Sequence, residues 1–181
     1  MKMKLISGFT ILLLSGIFIS GQEKKSGQPE IVMQEIFPDT KIEIKNIILS
    51  PDEISETKKL SGMKQEEKLV SFYLAKNGEQ IIGYGYADIH YVRTHPEVVL
   101  YAINPSGEIV KVEVLSFKEP PEYKPSEKWL NLFKGKSMEK NTLLLRKDID
   151  AISGATLTAR AVTNHSRKAL ALWKIIFENK K

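Results

Sequence analysis

The sequence predicts an α+β domain: an antiparallel sheet of about four to five strands flanked by helices, with a long helix at the C-terminal end. Three observations carry this. The turn signals Lys76-Asn77-Gly78-Glu79 and Asn104-Pro105-Ser106-Gly107 each separate two β-rich runs, the pattern of an antiparallel hairpin. Helical patterns stand at both ends of that run of strands. The chain shows no internal repeat.

The elements follow in order. Residues 29–36 predict a short helix, with Pro29 in its first turn and Phe37-Pro38 ending it. Residues 41–49 alternate through Ile42, Ile44 and Ile48 and read as a strand with one irregularity. Ser50, Pro51 and Glu53 then mark a helix start. Ser50 is an N-cap, Pro51 suits the first helical position, and Glu53 closes a capping box; Ser61-Gly62 ends this helix. Strands are expected at 69–75, 80–89, 98–103 and 108–116. Residues 118–126 are proline-rich and cannot form a central strand. A short helix over 126–133 stops at Gly135. The last helix begins near Thr156 and runs toward Phe177. Ala161, Val162, His165, Ala169, Leu172, Trp173 and Ile176 form one apolar stripe, with Arg160, Asn164, Arg167 and Lys174 on the other side.

A chain of 181 residues suits one domain plus a short extra segment. Its organisation reads as a leader over 1–21, a linker and short helix over 22–36, and the domain proper over 37–181. The formal net charge is +5, and Lys2 and Lys4 of the leader supply two of those charges. The remainder is too mildly basic, and its charges too dispersed, to argue for nucleic acid. There are no cysteines. That excludes disulfides, iron–sulfur ligation, c-type haem attachment and a lipoprotein anchor, so redox chemistry would need an organic cofactor.

The leader has a basic start at Lys2 and Lys4, an apolar run over 5–19, small Ser20 and Gly21, and an abrupt polar exit at Gln22-Glu23-Lys24-Lys25. This is the pattern of a signal peptide or of an uncleaved membrane anchor. Either way the rest of the chain is expected to be exported, and to be periplasmic if the host has two membranes.

The segment that carries chemistry is Asp150-Ala151-Ile152-Ser153-Gly154-Ala155-Thr156. It is a small-residue loop feeding a helix N-terminus, where unpartnered amides and the helix dipole favour anions. Gly154 and Ala155 leave room for close approach to the backbone, and Thr156 and Thr158 add hydroxyls. A phosphate-bearing ligand fits this chemistry; an ordinary helix cap has the same local composition.

The pattern D-x-x-[ST]-G-A-[ST], matched by Asp150, Ser153, Gly154, Ala155 and Thr156, resembles the flavinylation signature of the FMN-binding domain family. At average residue frequencies a chance match in such a chain is on the order of one in a thousand. Thr156 is followed by Leu157-Thr158-Ala159-Arg160-Ala161-Val162, also similar to the family. Upstream, Glu35-Ile36-Phe37-Pro38, Gly83-Tyr84-Gly85-Tyr86, Asn104-Pro105-Ser106-Gly107 and Phe133-Lys134-Gly135-Lys136 resemble its landmarks. The family includes covalent-flavin subunits of the sodium-pumping NADH:quinone reductase and of the related ferredoxin:NAD reductase.

The resemblance implies one covalent FMN, its phosphate esterified to the hydroxyl of Thr156 by a separate flavin transferase that draws on FAD. Asp150, Ser153, Gly154 and Ala155 would form the recognised loop, with Thr158 beside the cofactor. Where relatives carry Glu-Thr-Pro-Gly near the flavin ring, this chain has Glu119-Pro120-Pro121-Glu122-Tyr123. Glu119 and Tyr123 are the candidates for ring contacts, and the missing glycine weakens that part of the match. The function so implied is extracytoplasmic electron transfer with a membrane or extracytoplasmic redox partner, more an electron carrier than a stand-alone enzyme. A flavin-dependent reductase of a small substrate and a non-redox interaction module are the alternatives.

Other residues invite functional readings. His90 and His95 tend to opposite sides of a strand and its end, so no metal site is expected from them. His165 reads as a core or cofactor-side residue. Arg93 is a candidate for neutralising flavin or partner charge, and Trp129, like Tyr123, is a candidate for packing on the ring.

Overall fold

The computed structural model describes residues 28–178. The leader and the first residues of the linker lie outside the described residues. Among the described residues, no helix is long and apolar enough to cross a membrane.

Five antiparallel strands pair in sequence order to form a meander: β1 (Lys41–Ile48), β2 (Leu69–Asn77), β3 (Gln80–Tyr91), β4 (Pro96–Ile103) and β5 (Ile109–Phe117). Helix α1 (Pro29–Ile36) precedes β1 and α2 (Pro51–Ser61) follows it. A short α3 (Glu127–Leu130) and the long α4 (Thr156–Trp173) come after the sheet, and α4 runs on as a π-helical turn over Lys174–Glu178. The α+β expectation is met.

Local signals explain the joints. Ser50 Oγ accepts the Glu53 amide at 3.2 Å while Glu53 Oε2 accepts the Ser50 amide at 2.8 Å, so the capping box is complete. Asn77 pairs with Gln80 around Gly78, whose φ of 59° a two-residue hairpin turn requires. The β3–β4 hairpin is longer than the sequence suggests, with β3 running to Tyr91 and β4 starting at Pro96. Proline is tolerated there because it opens the strand. This extension sets His90 directly opposite Glu97.

The two faces of the sheet are filled differently. Phe72, Tyr84, Tyr101, Ile103 and Val112 pack with Val162, Ala169, Leu172, Trp173 and Ile176 in one core cluster. The other cluster sets Val32, Met33 and Phe37 against Ala75, Leu100 and Ala102. Gly83 and Gly85 make the second possible. A Cβ on Gly83 would fall 2.3 Å from Phe37 Cζ, and one on Gly85 would fall 2.5 Å from Met33 Sδ. The alternation Gly83-Tyr84-Gly85-Tyr86 therefore sets aromatic rings on the α4 side and bare backbone on the α1 side.

The buried face of α4 is wider than the expected stripe. It also takes in Thr158, Ala159, Thr163, Ser166, Lys168 and Leu170, whereas Ala161 is only half-buried. Arg167, read as facing solvent, is half-buried. It donates to the carbonyls of Ser61 (3.0 Å) and Leu143 (2.7 Å) and to Asn164 Oδ1 (2.9 Å), clamping the end of α2 to the segment before the loop.

Candidate functional site

The loop before α4 is held from below. Trp129 Nε1 donates to the Asp150 carbonyl at 2.7 Å, and the Trp129 ring packs edge-on against Phe133 at 5.3 Å. Trp129 is buried and braces the loop, so its part here is structural support rather than a free aromatic face. The Ala155 amide donates to the Ile152 carbonyl at 3.2 Å, which turns the chain through Gly154 at φ +78°. Asp150, Ser153 and Gly154 are exposed. Ala155 is the N-cap but offers no side-chain cap, and the first backbone bond of the helix runs from the Ala159 amide to the Ala155 carbonyl. The amides of Thr156, Leu157 and Thr158 thus have no partner within the helix, leaving the positive end of α4 open to an anion.

A cavity of about 210 Å³ opens at this point. It is lined by Gly154, Ala155, Thr156, Leu157 and Thr158 from the start of α4, together with Val92, Arg93, Glu119 and Tyr123. Of the residues singled out from sequence, Gly154, Ala155, Thr156, Thr158, Arg93, Glu119 and Tyr123 meet here. Asp150 and Ser153 stand on the exposed loop and do not line the cavity. Thr156 is half-buried and Thr158 buried.

Glu119 is more than a wall residue. Its buried carboxylate oxygen Oε1 accepts the backbone amides of Arg93 (3.0 Å), Thr94 (2.8 Å) and His95 (2.9 Å). Hydrogen bonds from the His95, Thr94 and Arg93 amides hold this carboxyl below the usual carboxylate range, against the opposing pull of desolvation. The Arg93 guanidinium lies over the Tyr123 ring at 5.2 Å.

A second polar cluster, beneath the same hairpin, was missed from sequence. His90 Nδ1 is 2.9 Å from Asp88 Oδ2, and its Nε2 is 3.2 Å from Glu97 Oε2. Lys168 Nζ donates to Asp88 Oδ1 at 3.0 Å, and Tyr86 donates to the same oxygen at 3.2 Å. His165 brings Nδ1 within 2.5 Å of Asp88 Oδ2, without hydrogen-bond alignment, and stacks on His90 at 4.0 Å. Burial alone would raise the Asp88 pKa; the contacts with His165 and His90 and the charge of Lys168 outweigh it and hold the group far below its ordinary value. Burial pulls His90 down, but its bonds to Asp88 and Glu97 leave it raised. His165 is lowered, burial being the main cause. The two stacked rings are thus biased oppositely, His90 toward its protonated form and His165 toward its neutral form.

Asp88, His90 and His165 place ligand-type atoms within 4.8 Å of one another. The two rings lie only 13° from parallel, so their lone pairs cannot both point in-plane at one ion, and Lys168 already faces Asp88. This is the geometry of shared protons. His95 sits apart, exposed in the turn over residues 92–95. The signals were the two-residue spacing of Tyr86, Asp88 and His90 on one strand face and the three-residue spacing of His165 and Lys168 on one helix face.

Residues 95–171 match the family model of the FMN-binding domain. Among relatives, it is 28% identical to one component of the Na(+)-translocating ferredoxin:NAD(+) oxidoreductase complex of Acetobacterium woodii. The alignment covers 62% of this chain and 59% of that protein, so the chain spans well under two thirds of the relative's length. The cavity suits the phosphate end of FMN by its donors: three helix-start amides, the Thr156 and Thr158 hydroxyls and a guanidinium.

Proposed function

We propose that this chain is an electron-transfer flavoprotein holding FMN through a phosphoester on Thr156, and that it works outside the cytoplasm. The observation that carries the reading is the position of Thr156. It is the first helical residue of α4, half-buried at the cavity, and it ends the Asp150–Ser153–Gly154–Ala155 pattern. FMN would supply the redox chemistry, exchanging electrons in pairs or singly.

The residues of the chain have the remaining tasks. The open amides of α4 receive the phosphate charge, and the Thr156 hydroxyl is the attachment oxygen. Tyr123 offers an apolar wall. A threonine hydroxyl needs activation to act as a nucleophile. Asp150 is exposed and outside the cavity, which leaves activation to a flavin transferase. Transfer from FAD would form the bond between Thr156 Oγ1 and phosphorus, break the pyrophosphate link, and release AMP with the hydroxyl proton. The exposed loop residues Asp150, Ser153 and Gly154 are what such a transferase can reach.

The relative's membership of an oxidoreductase complex supports a membrane redox partner here. The basic start, apolar run and polar exit of residues 1–25 support export. Intact mass after co-expression with a transferase tests the attachment. The chain should gain one FMN less one water, surviving denaturation, and Thr156→Ala should gain nothing. Flavin released by denaturant, or still attached in the alanine variant, would remove Thr156 from the account.

A further inference from the structure

We propose that the Arg93 guanidinium is the counter-charge for the phosphate of FMN, and that Glu119 is the positioning residue that aims it; this rests on the reading that the Thr156 cavity takes FMN. Arg93 lies outside the segment matched by the family model, which begins at residue 95. The assignment therefore stands on geometry alone.

Arg93 and Thr156 line the same cavity of about 210 Å³. An ester on Thr156 leaves two unesterified phosphate oxygens sharing one negative charge. The open amides of α4 approach that charge from the helix side. Among the described residues that line the cavity, Arg93 is the only cation, and its planar fork of donors matches phosphate. Among the described residues Arg93 has no ion-pair partner. Its one aromatic contact, the Tyr123 face, supports the plane and leaves the N–H edge available.

Glu119 would seem the wrong charge for a phosphate site. Its geometry resolves the conflict, because Oε1 is committed to three consecutive amides of residues 93–95. Those amide dipoles offset its charge and fix the backbone from which Arg93 projects. The turn is also anchored at its base, where Tyr91 pairs with Pro96 and His90 is bound to Glu97. The segment carrying Arg93 is thus held at both ends before any ligand arrives, which is how a long side chain is given one place to bind.

FMN and riboflavin share the ring and the ribityl chain and differ by the phosphate, so they make the test. Full-length chain prepared without a transferase is titrated with each, following flavin fluorescence. Wild type should bind FMN about tenfold or more tighter than riboflavin, as charged hydrogen bonds imply. Arg93→Gln should bring FMN to the riboflavin value while leaving riboflavin unchanged, and Arg93→Lys should restore part of the preference. Glu119→Gln should reduce the FMN preference without changing riboflavin affinity, a split that general loosening of the fold would not produce. No preference for FMN in wild type, including failure to bind either flavin, overturns the proposal, as does a preference unchanged in Arg93→Gln. The Thr156 ester fails separately. A chain that prefers FMN through Arg93 but gains no mass with a transferase sinks only the ester, whereas a mass gain on Thr156 with no Arg93 effect sinks only this inference.

Discussion

His90 Nε2 stands 3.2 Å from Glu97 Oε2, directly across the β3–β4 pairing, with both side chains buried. The other ring nitrogen of His90 faces Asp88, so both nitrogens meet carboxylate oxygens and both must donate. Because burial is outweighed by these two bonds, the folded pKa of His90 is above its unfolded value of about 6.5. Its contribution to stability is fully present below about pH 6.5 and is lost as pH rises through the folded value. Asp88 behaves oppositely: depressed in the fold, it contributes above its unfolded value of about 3.9 and loses this as pH falls. His165, lowered by burial, contributes fully above about pH 6.5 and loses this as pH falls, so thermal midpoints against pH should peak near pH 6.5 from this cluster. Glu97→Ala should cost about 3–5 kcal/mol, the penalty for a buried pair left half-made. In Glu97→Gln the alkaline decline should begin at lower pH, and in His90→Gln the His90 part of that decline should vanish. A decline identical in all three proteins would mean that His90 carries no proton in the fold.

The bond between Trp129 and the Asp150 carbonyl gives a second prediction. Trp129→Phe keeps a ring against Phe133 but removes the donor. The freed carbonyl belongs to an exposed residue and can reach water, so the stability loss should be modest, about 0.5–1.5 kcal/mol. Flavin incorporation should slow, because the loop bearing Asp150 and Gly154 loses its brace. Initial rates read by in-gel fluorescence, beside the thermal midpoint, check this. A rate equal to wild type would show that the transferase does not depend on the brace.

Recognition and folding should separate within the loop itself. Asp150→Ala removes an exposed side chain and should shift stability by less than about 0.5 kcal/mol. Gly154 has φ +78° with open space around it, so Gly154→Val meets backbone strain of about 1 kcal/mol or more but no clash. Both variants should lose most flavin while staying folded. Full flavinylation of Asp150→Ala would remove that carboxylate from the recognised pattern. Parallel loss of flavin and fold in both would make the loop an ordinary helix cap.

How far the sequence could be read depends on whether a signal is local. The Ser50–Glu53 capping box, the Asn77-Gly78 turn and the run into α4 depend on neighbours in the chain, and each is present where the sequence places it. The loop of Asp150 to Thr156 was visible for the same reason. The grip of Glu119 on residues 93–95 spans about 25 positions, and a proline-rich segment gives no sign of where its carboxylate will turn. Asp88 and Lys168 are 80 residues apart, and nothing local to either announces that both will be buried against each other. Arg93 was legible as a cation of interest; the wall it occupies was not.

Gly107 and Trp173 make a final pair whose coupling can be measured. Gly107 closes the β4–β5 turn at φ +77°, its amide donating to the Asn104 carbonyl at 3.0 Å. A Cβ there would fall 2.5 Å from Cζ3 of Trp173, a nearly fully buried side chain that anchors the end of α4 on the sheet. Gly107→Ala therefore carries two penalties. The left-handed backbone costs roughly 1–2 kcal/mol, and the overlap with the indole adds about 1–3 kcal/mol. Trp173→Ala costs roughly 3–5 kcal/mol as a large buried side chain is truncated, but it also clears the space above Gly107. In the double variant the overlap is gone and only the backbone penalty remains. Urea denaturation of the four proteins should give a combined loss smaller than the sum of the single losses by about 1–3 kcal/mol. Simple additivity would mean that the indole moves aside at no cost, and that the turn and α4 are not packed as one unit.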